Sequence, residues 1–165
     1  MLRHKLTSYV DSLFFKRAKG GPLSKPPAGK LYLHSRLGIE GDANANPLVP
    51  RQVLLTALDT LRCFYLNLGD LRENIVIGGF DIDQVPSGSV LRIGSSATVR
   101  LTFHCEVCKY ISTLSIKPIK SLEGRRGFLG VVLQGGAIEV GDPVGVLAER
   151  CSEVPDRVLT DSCGS

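Results

Sequence analysis

Residues 86–105 read PSGSVLRIGSSATVRLTFHC, and this stretch carries the clearest signal for the fold. A turn at Pro86-Ser87-Gly88 leads into a strand predicted at residues 90–93. Residues 98–105 then alternate strictly between polar and apolar side chains over eight positions. Alternation of this length is typical of a half-buried β-strand. The chain is therefore expected to fold as short strands joined by turns.

The rest of the chain continues this pattern around a single clear helix. Further strands are predicted at residues 30–36, 51–55, 74–77, 128–133, 138–140 and 144–147. Thr56, three residues before Asp59, gives a capping-box start for a helix that Gly69 ends. Residues 6–17 fit either a helix or a strand, and residues 106–113 could form a short helix. These elements predict a mainly β protein, a small β-barrel with helical insertions.

Composition limits the class of protein. The chain has 165 residues, 43% apolar and 22% charged, with 18 Gly and 9 Pro. These values are typical of one globular domain and argue against disorder, a coiled coil or a fibrous repeat. No apolar run approaches the roughly 20 residues that span a bilayer, and the first residues do not resemble a signal peptide. With an odd number of five cysteines, the sequence predicts reduced thiols in the cytoplasm, with no membrane association.

The first part of the chain is basic. Residues 1–30 carry seven Lys or Arg and one acid, Asp11. Such a segment can attract nucleic acid or a membrane surface, but it lacks a dense basic run and interleaved aromatic residues, so nucleic-acid binding is not favoured. We expect a basic extension at residues 1–8, one domain at residues 9–150 and a polar tail at residues 151–165.

The pair Cys105-Glu-Val-Cys108 allows several interpretations. A structural zinc site normally needs four ligands, and His104 is adjacent, but the other cysteines have no paired spacing. A thioredoxin-like redox pair belongs to a βαβ pattern, which is absent. Both thiols could also be buried in the core. These three alternatives stay open.

A role for a single thiol is favoured over these alternatives. Cys108 follows a predicted strand end, starts a possible helical turn and precedes Lys109. A nearby cation or helix N-terminus lowers the pKa of a thiol and favours the thiolate. A thiolate ligates soft metals and can carry sulfur as a persulfide.

Several polar residues next to loops are candidates for holding an anion or a polar ligand. Asp42 ends the turn Gly38-Ile-Glu-Gly41-Asp42 and can accept backbone N–H bonds. Most of the candidate arginines (Arg51, Arg72, Arg125 and Arg126) adjoin loops, where a guanidinium can meet a phosphate. The sequence contains no Walker loop, no G-x-G-x-x-G and no nucleophile elbow for His34 or His104.

Taken in order, these fragments resemble one family. They are Gly38-Ile-Glu-Gly-Asp42, Arg51-Gln-Val-Leu-Leu55, Arg72-Glu-Asn-Ile-Val76, Gly88-Ser-Val-Leu-Arg-Ile-Gly94, Cys108, Arg126-Gly-Phe-Leu-Gly-Val-Val132 and Gly141-Asp-Pro-Val144. The series resembles the MOSC domain, named from the C-terminal domain of molybdenum cofactor sulfurase, over roughly residues 9–147. The resemblance implies a mostly antiparallel β-barrel, similar to the pyruvate-kinase barrel, with a few peripheral helices.

The resemblance also implies a cofactor and a set of site residues. Members of the family bind or act on the molybdenum cofactor, a pterin with a dithiolene and a phosphate. The family cysteine, here Cys108, ligates molybdenum or relays sulfur as a persulfide. A cleft formed by loops would then hold the pterin and phosphate, and the candidate cofactor-binding residues are Arg51, Arg72, Asn74, Arg126, Asp42 and Lys109.

Three hypotheses about function follow from the resemblance. The first is an oxo-transfer reductase of N-hydroxylated or N-oxide compounds, with a small-molecule substrate and an electron-donor protein. The second is a sulfur carrier served by a cysteine desulfurase, the pyridoxal-phosphate enzyme to which some family members are fused and for which this chain has no room. The third is a non-catalytic module that carries the cofactor. The third rests on departures from the family pattern: Asn44 for a frequent His, Val107 for Pro, and the added Cys105.

Overall fold

The protein is built almost entirely from short β-strands. The computed structural model describes residues 7–114 and 119–148. Within them lie ten strands: β1 (Tyr9–Leu13), β2 (Lys30–His34), β3 (Gly38–Ile39), β4 (Val53–Ala57), β5 (Ile75–Gly78), β6 (Val90–Ile93), β7 (Ala97–His104), β8 (Phe128–Gln134), β9 (Gly136–Glu139) and β10 (Val144–Ala148). The described residues also contain one α-helix, α1 (Leu58–Cys63). Four 3-10 turns lie elsewhere among these residues, at Pro27–Gly29, Ile82–Gln84, Ile111–Thr113 and Ile119–Leu122. The prediction of a mainly β fold is confirmed.

Seven strands form one nearly closed sheet. Their order is β1-β5-β4-β8-β7-β6-β10, and every pair is antiparallel except β4 with β5. The two edges approach each other where the Val10 N–H donates to the Asp142 carbonyl at 2.9 Å and the Val144 N–H donates to the Ser8 carbonyl at 2.9 Å. These bonds pair backbone groups that an open edge would leave exposed. The predicted, mostly antiparallel β-barrel is confirmed, and β3, β2 and β9 form a second small sheet.

Two apolar clusters support the barrel and the loop that leaves it. The first fills the barrel and includes Val99, Leu101 and Phe128, all fully buried. The second lies around α1 and includes the fully buried Ile111, and the half-buried Val107 packs against this cluster. Burying an aliphatic side chain of this size contributes about 1.5–3 kcal/mol. The second cluster therefore holds the loop containing the cysteine pair against the barrel.

The helix differs from its prediction at both ends. Thr56 lies in β4, and its hydroxyl donates to the Arg126 carbonyl at 3.2 Å. The N-cap is Ala57, which makes no side-chain capping bond, so the predicted capping box was wrong. Tyr65 adopts a φ of 54°, and the Leu66 N–H donates to the Leu61 carbonyl at 2.9 Å. This left-handed C-terminal cap ends the helix well before Gly69.

Other boundaries were only partly predicted. The ambiguous residues 6–17 contain strand β1, and residues 106–113 contain only the 3-10 turn Ile111–Thr113. The predicted tail at residues 151–165 and residues 1–6 of the basic extension lie outside the described residues. In the part of the chain that the structure describes, no helix has the length and hydrophobicity to cross a membrane.

Candidate functional site

The cysteine pair lies on an irregular loop at one end of the barrel. Strand β7 ends at His104, and the Cys105 N–H donates to the Gly127 carbonyl at 2.8 Å. The Ser112 N–H donates to the Cys108 carbonyl at 3.2 Å. Both ends of the cysteine pair are thus held by backbone hydrogen bonds, and residues 106 and 107 between them belong to no helix or strand.

The Cys108 thiol is exposed, and its surroundings lower its pKa. Desolvation alone would raise the pKa of Cys108, but the N–H groups of Ile111 and Tyr110 and the charge of Arg126 together outweigh it and lower that pKa. Backbone N–H groups and a nearby cation stabilise a thiolate in the same way at reactive cysteines. The chain therefore presents an accessible thiol at this point, and its surroundings ease its ionisation.

Cys105 lies in a different environment. Its side chain is half-buried, and desolvation raises its pKa although the charges of Arg126 and Arg51 act to lower it. Arg51 lies over the ring of Phe103, with 5.4 Å between its guanidinium carbon and the ring centre. The two thiols of the pair therefore differ in both exposure and ionisation.

Arg126 lies beside both cysteines and keeps one donor free. It is 7% exposed, and its guanidinium Nη1 donates to the carbonyl of Glu106, between the two cysteines. Its Nε is buried and has no hydrogen-bond partner. A buried donor without a partner costs about 1–3 kcal/mol, so an acceptor placed against this nitrogen would be bound favourably.

Lys16 is a site residue that the sequence analysis missed. Desolvation lowers its pKa, and the charges of Asp42, Arg72 and Arg126 act on its ammonium group. Its backbone N–H donates to the Asp42 Oδ2 at 3.0 Å. Its only sequence signal is a cation directly after the apolar residues 13–15, just beyond what proves to be strand β1.

Asp42 and Asn74 are buried polar residues that bond to the backbone of the segment containing Lys16. Asp42 is 5% exposed and accepts hydrogen bonds from the Asn44 N–H at 2.8 Å and the Asn74 Nδ2 at 3.2 Å. Asn74 accepts from the Leu54 N–H at 3.0 Å and donates to the Phe14 carbonyl at 3.2 Å. Because these groups are already engaged, both residues position their neighbours, and their bonds tie together four segments that are distant in sequence.

Of the remaining predicted residues, Arg72 contacts neighbouring groups and Lys109 is exposed. Arg72 has a φ of 65°, and its guanidinium donates to the Gly21 carbonyl and lies over the Tyr110 ring at 5.8 Å. The structure thus connects Arg51, Arg72, Arg126, Asp42, Asn74 and Cys108 through contacts or electrostatic interactions. Lys109 is exposed on the loop, and among the described contacts the charge that lowers the Cys108 pKa is that of Arg126.

Comparison with known families assigns the chain. The sequence model of the MOSC domain matches residues 48–145, which include both cysteines, Arg126 and the strands from β4 to the start of β10. The chain belongs to the MOSC domain family. No match was found among the curated proteins.

Solved structures share the MOSC fold of this chain at low sequence identity. YuaD from Bacillus subtilis aligns with a TM-score of 0.66 at 19% identity, covering 84% of this chain and 94% of that one. YiiM from Geobacillus stearothermophilus gives 0.63 at 18%, covering 86% and 75%. YiiM from Escherichia coli gives 0.57 at 19%, covering 90% and 71%. At these identities the likeness supports the fold alone.

Two further features of this MOSC domain bear on ligands. Among residues 7–114 and 119–148, no three His, Cys, Asp or Glu side chains lie close enough to hold a metal ion, so the zinc interpretation finds no ligand set there.

An open cavity of about 600 Å³ is lined in part by Phe15, Arg17, Tyr32 and Glu40. Phe15 and Arg17 flank Lys16 in sequence, and no lining residue belongs to the cysteine loop. The cavity therefore adjoins the segment that supplies Lys16.

Proposed function

We propose that this MOSC protein binds the molybdenum cofactor through Cys108 and reduces N-hydroxylated or N-oxide compounds by oxo transfer. The MOSC family is associated with molybdenum-cofactor binding or sulfurase function. The observation that carries the proposal is an exposed thiol with a lowered pKa beside a buried arginine that has a free donor, Cys108 and Arg126. A thiolate is a soft ligand suited to a metal in a sulfur-rich environment.

The residues around Cys108 fit an anionic cofactor. Lys16, Arg72 and Arg126 are close enough for their charges to interact, and an anion between them would relieve their mutual repulsion. The unpartnered Arg126 Nε is a donor for a phosphate or for an oxygen or sulfur atom carrying negative charge. When bound, the cofactor supplies two-electron oxo-transfer chemistry.

The protein would contribute binding, orientation and protons. Removing oxygen from an N-hydroxylated compound consumes two electrons and two protons and yields the reduced nitrogen compound and water. An electron-donor protein would supply the electrons. The ammonium group of Lys16 is one proton source, because its lowered pKa makes release of a proton from Nζ easier than from an exposed lysine.

The molybdenum content of the purified protein tests the proposal. The protein is made in a host that synthesises the cofactor, and the wild type is compared with Cys108→Ala and Cys63→Ala. Cys63 is a matched control because it is also an exposed free thiol. We expect roughly stoichiometric molybdenum that is lost in Cys108→Ala and kept in Cys63→Ala. Equal molybdenum in all three proteins, or zinc lost on replacing either Cys105 or Cys108, would overturn it.

A second candidate function is sulfur relay through Cys108. The same exposed thiol, stabilised as thiolate by the Ile111 and Tyr110 N–H groups, is suited to accept sulfane sulfur from a cysteine desulfurase. Mass spectrometry of the metal-free protein after incubation with a desulfurase and cysteine distinguishes the two. One added sulfur on Cys108 without bound molybdenum supports relay. Bound cofactor with no turnover of any hydroxylamine substrate would instead indicate a carrier.

A further inference from the structure

Both cysteines of the loop interact with the same guanidinium group, that of Arg126. Arg126 donates to the Glu106 carbonyl, midway between Cys105 and Cys108, and its charge acts on both thiols. The thiols also interact electrostatically with each other, and both are free. The backbone between the two cysteines thus contacts Arg126, and the charge of Arg126 acts on both thiols.

The two thiols differ in a way that suits successive steps of a thiol–disulfide exchange. Cys108 is exposed and can meet a partner in solution, whereas Cys105 is half-buried. The buried Arg126 Nε is unpartnered, so a donor is free near the sulfur anions that such an exchange generates. Glu106 and Val107 belong to no helix or strand, so no hydrogen bond of a regular element has to break when the loop adjusts to disulfide geometry.

We propose that Cys105 and Cys108 form a reversible disulfide, with Cys108 as the attacking thiol and Cys105 as the resolving one. The Cys108 sulfur attacks a low-molecular-weight disulfide, forms a mixed disulfide and releases one thiol. Cys105 then attacks the Cys108 sulfur and releases the second thiol, leaving the Cys105–Cys108 bond. Two protein thiols lose two electrons, one small disulfide gains them, and the two thiol protons pass to the released thiols. A dithiol reductant reverses the reaction.

This modification would control the candidate site. In the disulfide, the Cys108 sulfur is bonded to carbon and sulfur and is no longer a thiolate that can ligate a metal or accept a persulfide. This consequence rests on the proposed function, whereas formation of the disulfide does not.

Equilibration with glutathione tests the proposal in a variant of the 165-residue chain that keeps only two cysteines. Cys63, Cys151 and Cys163 are replaced by serine, and the protein is equilibrated with reduced and oxidised glutathione, quenched with acid and mapped by mass spectrometry. We expect the loss of two hydrogen masses on the 105–108 peptide and no glutathione adduct. Adding Cys105→Ser should raise the glutathione adduct on Cys108 by at least roughly tenfold, because nothing resolves it.

Two results would overturn the proposal. One is an equal glutathione adduct on Cys108 with and without Cys105. The other is two free thiols under conditions in which the same protein, unfolded in urea, forms the disulfide. Molybdenum content is measured under reducing conditions and is independent of this result. Molybdenum loading without a disulfide would refute only the present inference, and a disulfide without molybdenum loading would refute only the proposed function.

Discussion

Replacing Asp83 with asparagine should stabilise the protein at neutral and higher pH. The Asp83 side chain is 1% exposed; its Oδ2 accepts from the Thr60 hydroxyl at 3.3 Å, and its Oδ1 has no hydrogen-bond partner. The Nδ1 of His104 lies 3.8 Å from that oxygen and is also unpartnered. Desolvation, followed by the charge of Asp81, raises the pKa of Asp83 to about 6.

The direction and size of the effect follow from linkage. Below the ordinary pKa of 3.8 the Asp83 carboxyl is neutral in both the folded and the unfolded state. As the pH rises from 3.8 to about 6, the unfolded state ionises first and the free energy of unfolding falls. At about 1.36 kcal/mol per pH unit, the full loss is roughly 3 kcal/mol. Asparagine keeps the size and the acceptor for Thr60 but carries no charge, so Asp83→Asn should gain roughly 1–3 kcal/mol at about pH 8.

Urea unfolding at about pH 4, 6 and 8 measures this prediction. The gain should be largest at pH 8 and should shrink toward pH 4, where Asp83 is mostly protonated in the folded protein. Asp59→Asn, an exposed substitution on α1, is the matched control and should show no comparable trend. Desolvation lowers the pKa of His104, so we expect His104 to be neutral at about pH 8, where the largest gain is measured. A variant that loses stability mainly at acidic pH would instead indicate an Asp83–His104 ion pair and refute the reasoning.

Three further substitutions, one of them with a matched control, test the fold by the same urea assay. Asn74→Ala leaves the buried Leu54 N–H without its side-chain acceptor and should cost roughly 2–4 kcal/mol, mostly as unpaired polar groups. Gly127→Ala places a Cβ against a carbonyl oxygen of β4 and should lower the free energy of unfolding by roughly 2 kcal/mol or more. Gly141→Ala is the control: Gly141 also has a positive φ but has open space around it, so this substitution should lower the free energy of unfolding by less. Tyr65→Gly should stabilise by roughly 1 kcal/mol, because Tyr65 is 96% exposed and holds a left-handed conformation; a loss of stability would contradict this.

Local pattern predicted the strands better than it predicted the helix. Strand β7 was expected at residues 98–105 and lies at Ala97–His104, because alternation records which face is buried. Thr56 carries the sequence signal of a cap, but its hydroxyl is bonded to the Arg126 carbonyl, 70 residues away. The helix end at Tyr65 escaped notice because a non-glycine residue rarely adopts positive φ. Tertiary contacts override local propensity at both ends.

The candidate site was predicted only as separate pieces. The sequence singled out Cys108 and Arg126, and the resemblance placed them in one site. It did not reveal Lys16, because that residue joins the cluster through the contact of its backbone with Asp42, 26 residues away. The sequence also did not reveal that the Asn74 side chain links β4 to the segment after β1 through hydrogen bonds to Leu54 and Phe14. Such roles depend on topology, which periodicity does not encode.

The geometry of the cysteine loop is set largely by the start of β8. The Arg126 side chain holds the middle of the cysteine pair, and the Gly127 carbonyl holds its first residue. Phe128 is fully buried and lies against the His104 ring at 3.9 Å. Gly127 has a φ of 128°, and a Cβ there would meet β4, so the chain can make all three contacts only with glycine at this position. Because these anchors lie at or just before the start of β8, a change at residues 126–128 would alter both the fold and the thiol environment.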